Sequence, residues 1–192
     1  MTAPLANAKA ILREQVRARL KDIPAAERAS ASAQLVTRLL GLSVWKNAKS
    51  VLLFSPFGIE PDICPLIHEA IASGKLTALP GFDPATQTYF ARFIRDPETD
   101  LVAGEFGILE PRSACEAAPL NRLDLVLVPG VAFDTRGRRL GRGKGYYDRL
   151  LTHVRGTKCG IAFDEQIVEE IPAGPLDIRL NCILTPTRWT QT

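Results

Sequence analysis

The residues able to do chemistry in this chain crowd into one stretch, Val128 to Arg149, which reads VPGVAFDTRGRRLGRGKGYYDR. Gly137, Gly141, Gly143 and Gly145 stand there among Arg136, Arg138, Arg139, Arg142, Lys144 and Arg149. Glycine lets a backbone approach a ligand closely and present its N–H groups, and Arg and Lys supply charge that matches an oxyanion. The stretch leaves a strongly apolar segment, DLVLV at 124–128, and runs into a helical pattern. Ligands of open α/β sheets gather outside the carboxyl ends of strands, and a helix N-terminus adds partial positive charge. This order of residues predicts a phosphate-binding loop.

Established loop signatures do not fit it. A P-loop needs a hydroxyl residue after Gly-Lys, and Gly145 follows Gly143-Lys144. A dinucleotide turn beginning at Gly141 and Gly143 meets Tyr146 where its third small residue belongs. Lys144-Gly145-Tyr146-Tyr147 starts like an RNA-recognition signature, but Tyr147 and Asp148 occupy positions that want a small residue and then Phe. From composition alone, a Gly-rich turn with solvated charges stays open as the plain alternative. A nucleic-acid-binding module using the 136–149 basic loop is the alternative from another class; it predicts affinity that falls steeply with salt.

The elements that must position this loop can be read from apolar periodicity. Leu12, Val16 and Leu20 recur every four residues across 5–21, a helix with Lys9, Arg13 and Arg17 together on another face, which periodicity alone reads as solvated. A second helix follows Pro24, taken as a first-turn residue, and runs to Gly41, placed at a left-handed end. Strands are predicted at 50–55, 76–79, 89–94, 124–128, 159–163 and 181–185, and helices at 62–73 and 145–154, with hairpins and loops over 81–121. The alternation predicts an α/β fold: a single three-layer αβα domain over residues 1–192 with a mostly parallel, Rossmann-like sheet.

Composition narrows the class. With 192 residues, 46% hydrophobic and 23% charged, the chain can bury one substantial core and is far from a disordered composition. A net charge of +3 suits an anionic ligand and falls short of a protein that grips nucleic acid by its phosphates. No apolar run is long enough for a membrane span and the first residues lack a signal pattern, so a cytoplasmic protein is expected. Cys64, Cys115, Cys159 and Cys182 have no zinc-ligand spacing and are expected to be reduced, three or four of them buried; His68 and His153 are expected on helix surfaces.

The run PGVAFD-x-x-G-x-RLGRGKGYYDR at 129–149 strongly resembles the signature of the 5-formyltetrahydrofolate cyclo-ligase family, also called 5,10-methenyltetrahydrofolate synthetases. Other elements resemble that family along almost the whole chain. They are Lys9-Ala10-Ile11-Leu12-Arg13; Phe54-Ser55 with Glu60-Pro61-Asp62; GEFGILEP at 104–111; Ile161-Ala162-Phe163 with Gln166; Ile171-Pro172; and Leu176-Asp177-Ile178. Departures from the pattern are Leu176, where many members have His, and Asn181 and Pro186, which replace residues that are often acidic.

The resemblance implies an enzyme that uses ATP and Mg²⁺ to cyclise 5-formyltetrahydrofolate to 5,10-methenyltetrahydrofolate. The γ-phosphate goes to the N5-formyl oxygen, N10 attacks the activated carbon, and ADP and phosphate are released. It further implies ATP contacts from Lys9, Arg13, Arg139, Leu140, Gly141, Arg142, Gly143, Lys144, Gly145, Tyr146 and Tyr147, and catalytic roles for Arg142, Lys144 and Tyr147. Folate recognition falls to Phe54, Phe57 and Glu60 with Arg142, Gly143, Lys144, Gly145 and Tyr146. Asp148 and Asp177 are implied as the Mg²⁺-proximal carboxylates; without a metal, Asp148 pairs with Arg149 and Asp177 with Arg179. Tyr146 and Tyr147 either stack on the pterin and orient the formyl-phosphate or belong to the core. The expected partner is the small-molecule folate, with or without a polyglutamate tail, with no nucleic acid, no membrane, and a monomeric chain. A catalytically inactive folate-binding relative is the nearest alternative.

Overall fold

Apolar stripes on the first 41 residues produce two long helices, α1 (Ala3–Asp22) and α2 (Ala25–Gly41), in a computed structural model that describes residues 3–104 and 107–192. Pro24 stands just outside α2 and accepts from Arg28 N at 3.0 Å, so it caps the helix rather than occupying its first turn. Gly41 is the last helical residue and takes no left-handed conformation; the chain turns instead at the extended Leu42 into a short helix, α3 (Ser43–Asn47).

The chain continues through β1 (Ser50–Leu52), α4 (Cys64–Ala72), β2 (Leu76–Asp83), β3 (Thr88–Ile94), α5 (Pro97–Asp100), β4 (Leu101–Ala103), β5 (Leu109–Pro111) and β6 (Leu125–Val128). It then forms β7 (Ala132–Asp134), β8 (Arg139–Leu140), α6 (Tyr146–Leu151), β9 (Thr157–Ile161), β10 (Ile167–Val168), β11 (Cys182–Leu184) and β12 (Trp189–Gln191). Seven strands make the central sheet in the order β12-β11-β9-β6-β1-β2-β3. Its inner pairs are parallel, and the edge strands β3 and β12 are antiparallel to their neighbours. The antiparallel edges come from the β2–β3 hairpin, longer than the short strand expected at 76–79, and from β12, which apolar patterning did not reveal. Two further small sheets are β4-β5, a hairpin inside the 81–121 stretch where hairpins and loops are expected, and β10-β7-β8, in segments that read as loop.

Alternation along the strands covers both sheet faces. Val51, Leu125, Leu127, Cys159, Ile161 and Leu184 pack with Leu35, Leu39, Trp45 and Leu66 of α2, α3 and α4. Their neighbours Leu52, Val126, Val128 and Ile183 pack on the other side with Leu150, Leu151 and Val154. This is the period-two signature of a sheet buried on both faces. Helix α1 lies elsewhere, with Val16 and Leu20 against Ala132 and Leu140 of the small sheet and against Phe163 and Ile171.

The strand order positions the site. The chain places β2 on one side of β1 and later β6 on the other, so a switch point falls between β1 and β6. Connections diverge there and leave a crevice at the strands' carboxyl ends. Phe54 to Glu60 follow β1 and the Gly-rich stretch follows β6.

All four cysteines are free, but Cys64 is exposed and Cys115 is half-buried, leaving two buried, Cys159 and Cys182. Cys64 opens α4 with its side chain at the surface, and partial desolvation with the nearby Asp62 pushes its thiol up to about 11. His68 and His153 are both exposed. No helix among the described residues is long and apolar enough to cross a membrane.

Candidate functional site

The loop after β6 is built on one buried carboxylate. Asp134 is fully buried and accepts from Arg136 N at 3.0 Å, Arg138 N at 3.1 Å, Arg138 Nε at 2.6 Å and Ile171 N at 3.0 Å. These bonds close the β7–β8 turn, and Arg136 and Arg138 are drawn toward Glu170, at 3.7 and 3.0 Å. Two of the six cations in the stretch therefore serve the hairpin. Gln166, also buried, accepts from Phe163 N at 2.8 Å and donates to Gly130 O at 2.8 Å and Val131 O at 3.2 Å, fixing the turn that leaves β6.

Arg139 forms the floor of the loop. Its side chain is 3% exposed and pairs with Asp148 at 3.0 Å, while Nη1 donates to Pro129 O at 3.2 Å and the guanidinium lies 5.7 Å from the Tyr147 ring centroid. Expected as an open phosphate-neutralising cation, Arg139 is instead enclosed, because Asp148 on α6 supplies its counter-charge. The pair Asp148–Arg149 does not form; Arg149 donates to Gln87 O at 2.9 Å and Lys144 O at 3.4 Å. Leu140, expected among the ATP contacts, turns its side chain into the apolar cluster under α1, leaving only backbone toward the loop.

Helix α1 closes the loop from beneath. Arg13 Nε donates to Gly141 O at 2.8 Å, and Lys9 meets Asp177 at 2.5 Å. Lys9 is only 4% exposed, so the basic face that periodicity read as solvated is turned inward at Lys9 and Arg13, while Arg17 stays exposed. Burial and the neighbouring Arg17 pull the Arg13 guanidinium below its usual value, with Asp177 opposing. Asp177 therefore pairs with Lys9 rather than Arg179, and it also accepts from Gly174 N at 2.6 Å. Gly143 and Gly145 have φ of 113° and 67°, conformations that need glycine, and Gly145 caps α6.

The opposite wall comes from the turn after β1. Arg142 Nη2 pairs with Glu60 Oε1 at 2.6 Å and donates to Phe57 O at 3.2 Å, with its guanidinium 4.8 Å from the Phe57 ring centroid. Glu60 Oε2 accepts from Phe57 N at 3.0 Å. The Glu60 side chain is 12% exposed, and burial pushes its carboxyl upward against the opposing pull of Arg142 and the Phe57 N–H. Phe57 is exposed, as a ligand-facing ring would be, but Phe54 is 2% exposed and packs in the main core. Its place two residues past a strand buried on both faces gives its side chain to the interior, which corrects its expected role as a folate-lining ring.

Four aromatic rings complete the crevice. Tyr146 lies 5.0 Å from Phe82 and 5.6 Å from Tyr89, and Tyr147 lies 5.5 Å from Tyr89. Lys144 Nζ and the Arg149 guanidinium stand 5.7 and 5.0 Å from the Tyr146 ring. Burial raises the Tyr147 phenol far above its ordinary range, with Glu60 and Tyr89 adding to the effect. Phe82, Gln87 and Tyr89 come from the β2–β3 hairpin, and nothing in their local sequence marks them as site residues. In the 104–111 element, Glu110 Oε2 accepts from Phe82 N at 3.1 Å and Ser55 donates to Leu109 O at 2.7 Å; Glu105 and Phe106 lie outside the described residues.

Asp148 and Asp177 each commit one oxygen to a cation, while Asp148 Oδ2 and Asp177 Oδ1 accept no hydrogen bond among the described residues. No cluster of three or more His, Cys, Asp or Glu side chains able to hold a metal occurs among the described residues. Asp148 and Asp177 thus each keep one oxygen for a hard cation that retains water among its ligands, as Mg²⁺ does.

Residues 5–186 match the model of the 5-formyltetrahydrofolate cyclo-ligase family. The 5-formyltetrahydrofolate cyclo-ligase of Escherichia coli K12 is 33% identical over 177 residues, covering 90% of this chain and 97% of that protein. The mouse protein of the same name is 30% identical over 191 residues, covering 93% of each. The solution structure of Aquifex aeolicus 5,10-methenyltetrahydrofolate synthetase superposes with a TM-score of 0.86 at 34% identity, covering 95% of this chain and 92% of that one.

Proposed function

Because the chain belongs to the 5-formyltetrahydrofolate cyclo-ligase family, we propose that it cyclises 5-formyltetrahydrofolate to 5,10-methenyltetrahydrofolate at the β1/β6 crevice, with ATP as phosphate donor. The observation that carries this reading is the meeting of the 141–147 loop with the Phe57–Glu60 turn through Arg142 and Glu60. One side of the contact is basic and glycine-rich, suited to a polyphosphate; the other joins a carboxylate and an exposed ring, suited to a pterin with N–H donors.

In this reading Lys144 and Arg142 meet phosphate charge directly, and the first amides of α6, which no helical carbonyl can satisfy, add donors. Arg13 and Arg139 hold the loop in shape. An amide oxygen is a poor leaving group; phosphorylation of the formyl oxygen lets the C–O bond break once N10 has attacked. No protein nucleophile is needed, so rate acceleration rests on alignment and charge stabilisation. Tyr147, half-buried beside Tyr89 and Arg139, orients the reacting group. Asp148 and Asp177 would hold Mg²⁺, whose chemistry is to neutralise and orient phosphate oxygens. A monomeric, cytoplasmic protein is part of the same reading.

The test mixes the protein with 5-formyltetrahydrofolate and Mg²⁺, with and without ATP, and follows methenyltetrahydrofolate absorbance together with ADP. Matched, ATP-dependent appearance of both products is expected. Folate binding without turnover would point to an inactive relative.

A further inference from the structure

Gln87 sits at the tip of the β2–β3 hairpin with φ of 55°, the one residue other than glycine with positive φ among the described residues. Left-handed backbone is disfavoured for a side chain of this kind, so neighbouring contacts must hold it. The side-chain Nε2 donates to Pro84 O at 2.9 Å within its own turn, which fixes the amide and leaves Oε1 to accept from the Tyr146 hydroxyl at 2.7 Å. Its backbone carbonyl accepts from Arg149 Nη2 at 2.9 Å. Arg149 in turn reaches Lys144 O and lies 5.0 Å from the Tyr146 ring centroid. One residue thus grips both ends of the turn that leads into α6: the phenol at the helix's first position, and through Arg149 the Lys144 carbonyl two residues earlier.

Resting on the assignment of Tyr146 and Lys144 to the ATP and folate site, we propose that Gln87 is a positioning residue, which sets Tyr146 and the 144–147 turn in register for reaction from a hairpin some sixty residues away in sequence. Phe82 and Tyr89, on the two strands of the same hairpin, hold the Tyr146 ring, and Gln87 holds its hydroxyl. The hairpin is the reference surface against which the loop is set.

Substitution separates positioning from folding. Glycine relieves the left-handed strain, so Gln87→Gly folds at least as stably as wild type while losing the acceptor for Tyr146. The phosphate-facing cations remain, so KM for ATP is expected to stay within about twofold while kcat falls about tenfold through misalignment. In a Tyr146→Phe background, which already lacks the hydroxyl, Gln87→Gly is expected to lower kcat by no more than about twofold further. Selective ¹³C-tyrosine NMR, with signals assigned by Tyr→Phe exchange, is expected to show the Tyr146 ring shifted or broadened in Gln87→Gly. Wild-type kcat in Gln87→Gly, or a Tyr146 signal that does not move, overturns the proposal. A wild-type chain without turnover overturns the functional reading instead, and the NMR comparison then decides this one alone.

Discussion

Arg142 and Glu60, 82 residues apart in sequence, meet at 2.6 Å and join the loop after β6 to the turn after β1. Glu60 is held below the surface, and its carboxyl is pushed up by burial more than Arg142 and Phe57 N–H pull it down.

That balance predicts a pH dependence with a definite sign. A carboxyl whose folded pKa is raised contributes stability that is complete below its unfolded pKa and is lost as pH rises through the raised value. Glu60→Gln cannot ionise, so its stability relative to wild type should improve as pH rises from about 4 toward neutrality, while its affinity for the folate falls. Chemical denaturation at several pH values checks the first part, and a constant stability difference across that range would refute it.

Lys144 is exposed on the 141–147 loop, its Nζ 5.7 Å from the Tyr146 ring centroid. Lys144→Ala should lower kcat by about 100-fold, the usual loss for one group that stabilises developing charge, with the thermal midpoint preserved. Near-normal ATP turnover in this variant would remove Lys144 from the site.

The two carboxylates assigned to Mg²⁺ differ in what else they support. Asp148→Asn strips the counter-charge from the buried Arg139 and should cost about 1–3 kcal/mol of stability. Both Asp148→Asn and Asp177→Asn should raise the Mg²⁺ concentration needed for half-maximal activity, by about tenfold each. Identical Mg²⁺ titrations in wild type and both variants would end the metal assignment.

Asp134 contacts no expected ligand, yet four donors converge on it in a fully buried position. Asp134→Ala leaves Arg138 with Glu170 alone and three backbone N–H groups without their acceptor. We expect a loss of about 3–5 kcal/mol, seen as a thermal midpoint lowered by about 10 °C. A shift of only a degree or two would mean that the β7–β8 turn is held by other contacts.

Much of the architecture was legible because its signals are local. The apolar run at 124–128 could only be a strand buried on both faces, and the stripe Leu12, Val16, Leu20 could only be one side of a helix. Gly143 and Gly145 are needed by the conformations they adopt, so the loop announced itself through composition. The hairpin ending in Gln87 and the edge strand β12 were harder to read, since short antiparallel strands half-covered by the rest of the chain carry little periodicity.

Within the site, the sequence by itself determined which residue types were present and that a basic, glycine-rich turn follows a buried strand. Only tertiary structure decided how each cation is used: Arg136 and Arg138 toward Glu170, Arg139 on Asp148, Arg142 on Glu60, Lys9 on Asp177, Arg149 on Gln87. It likewise sent Phe54 and the Leu140 side chain into the core. The reason is that a charge takes its partner from whatever the fold brings within a few ångströms, and the partners here lie up to 168 residues away in sequence, beyond the reach of any local pattern.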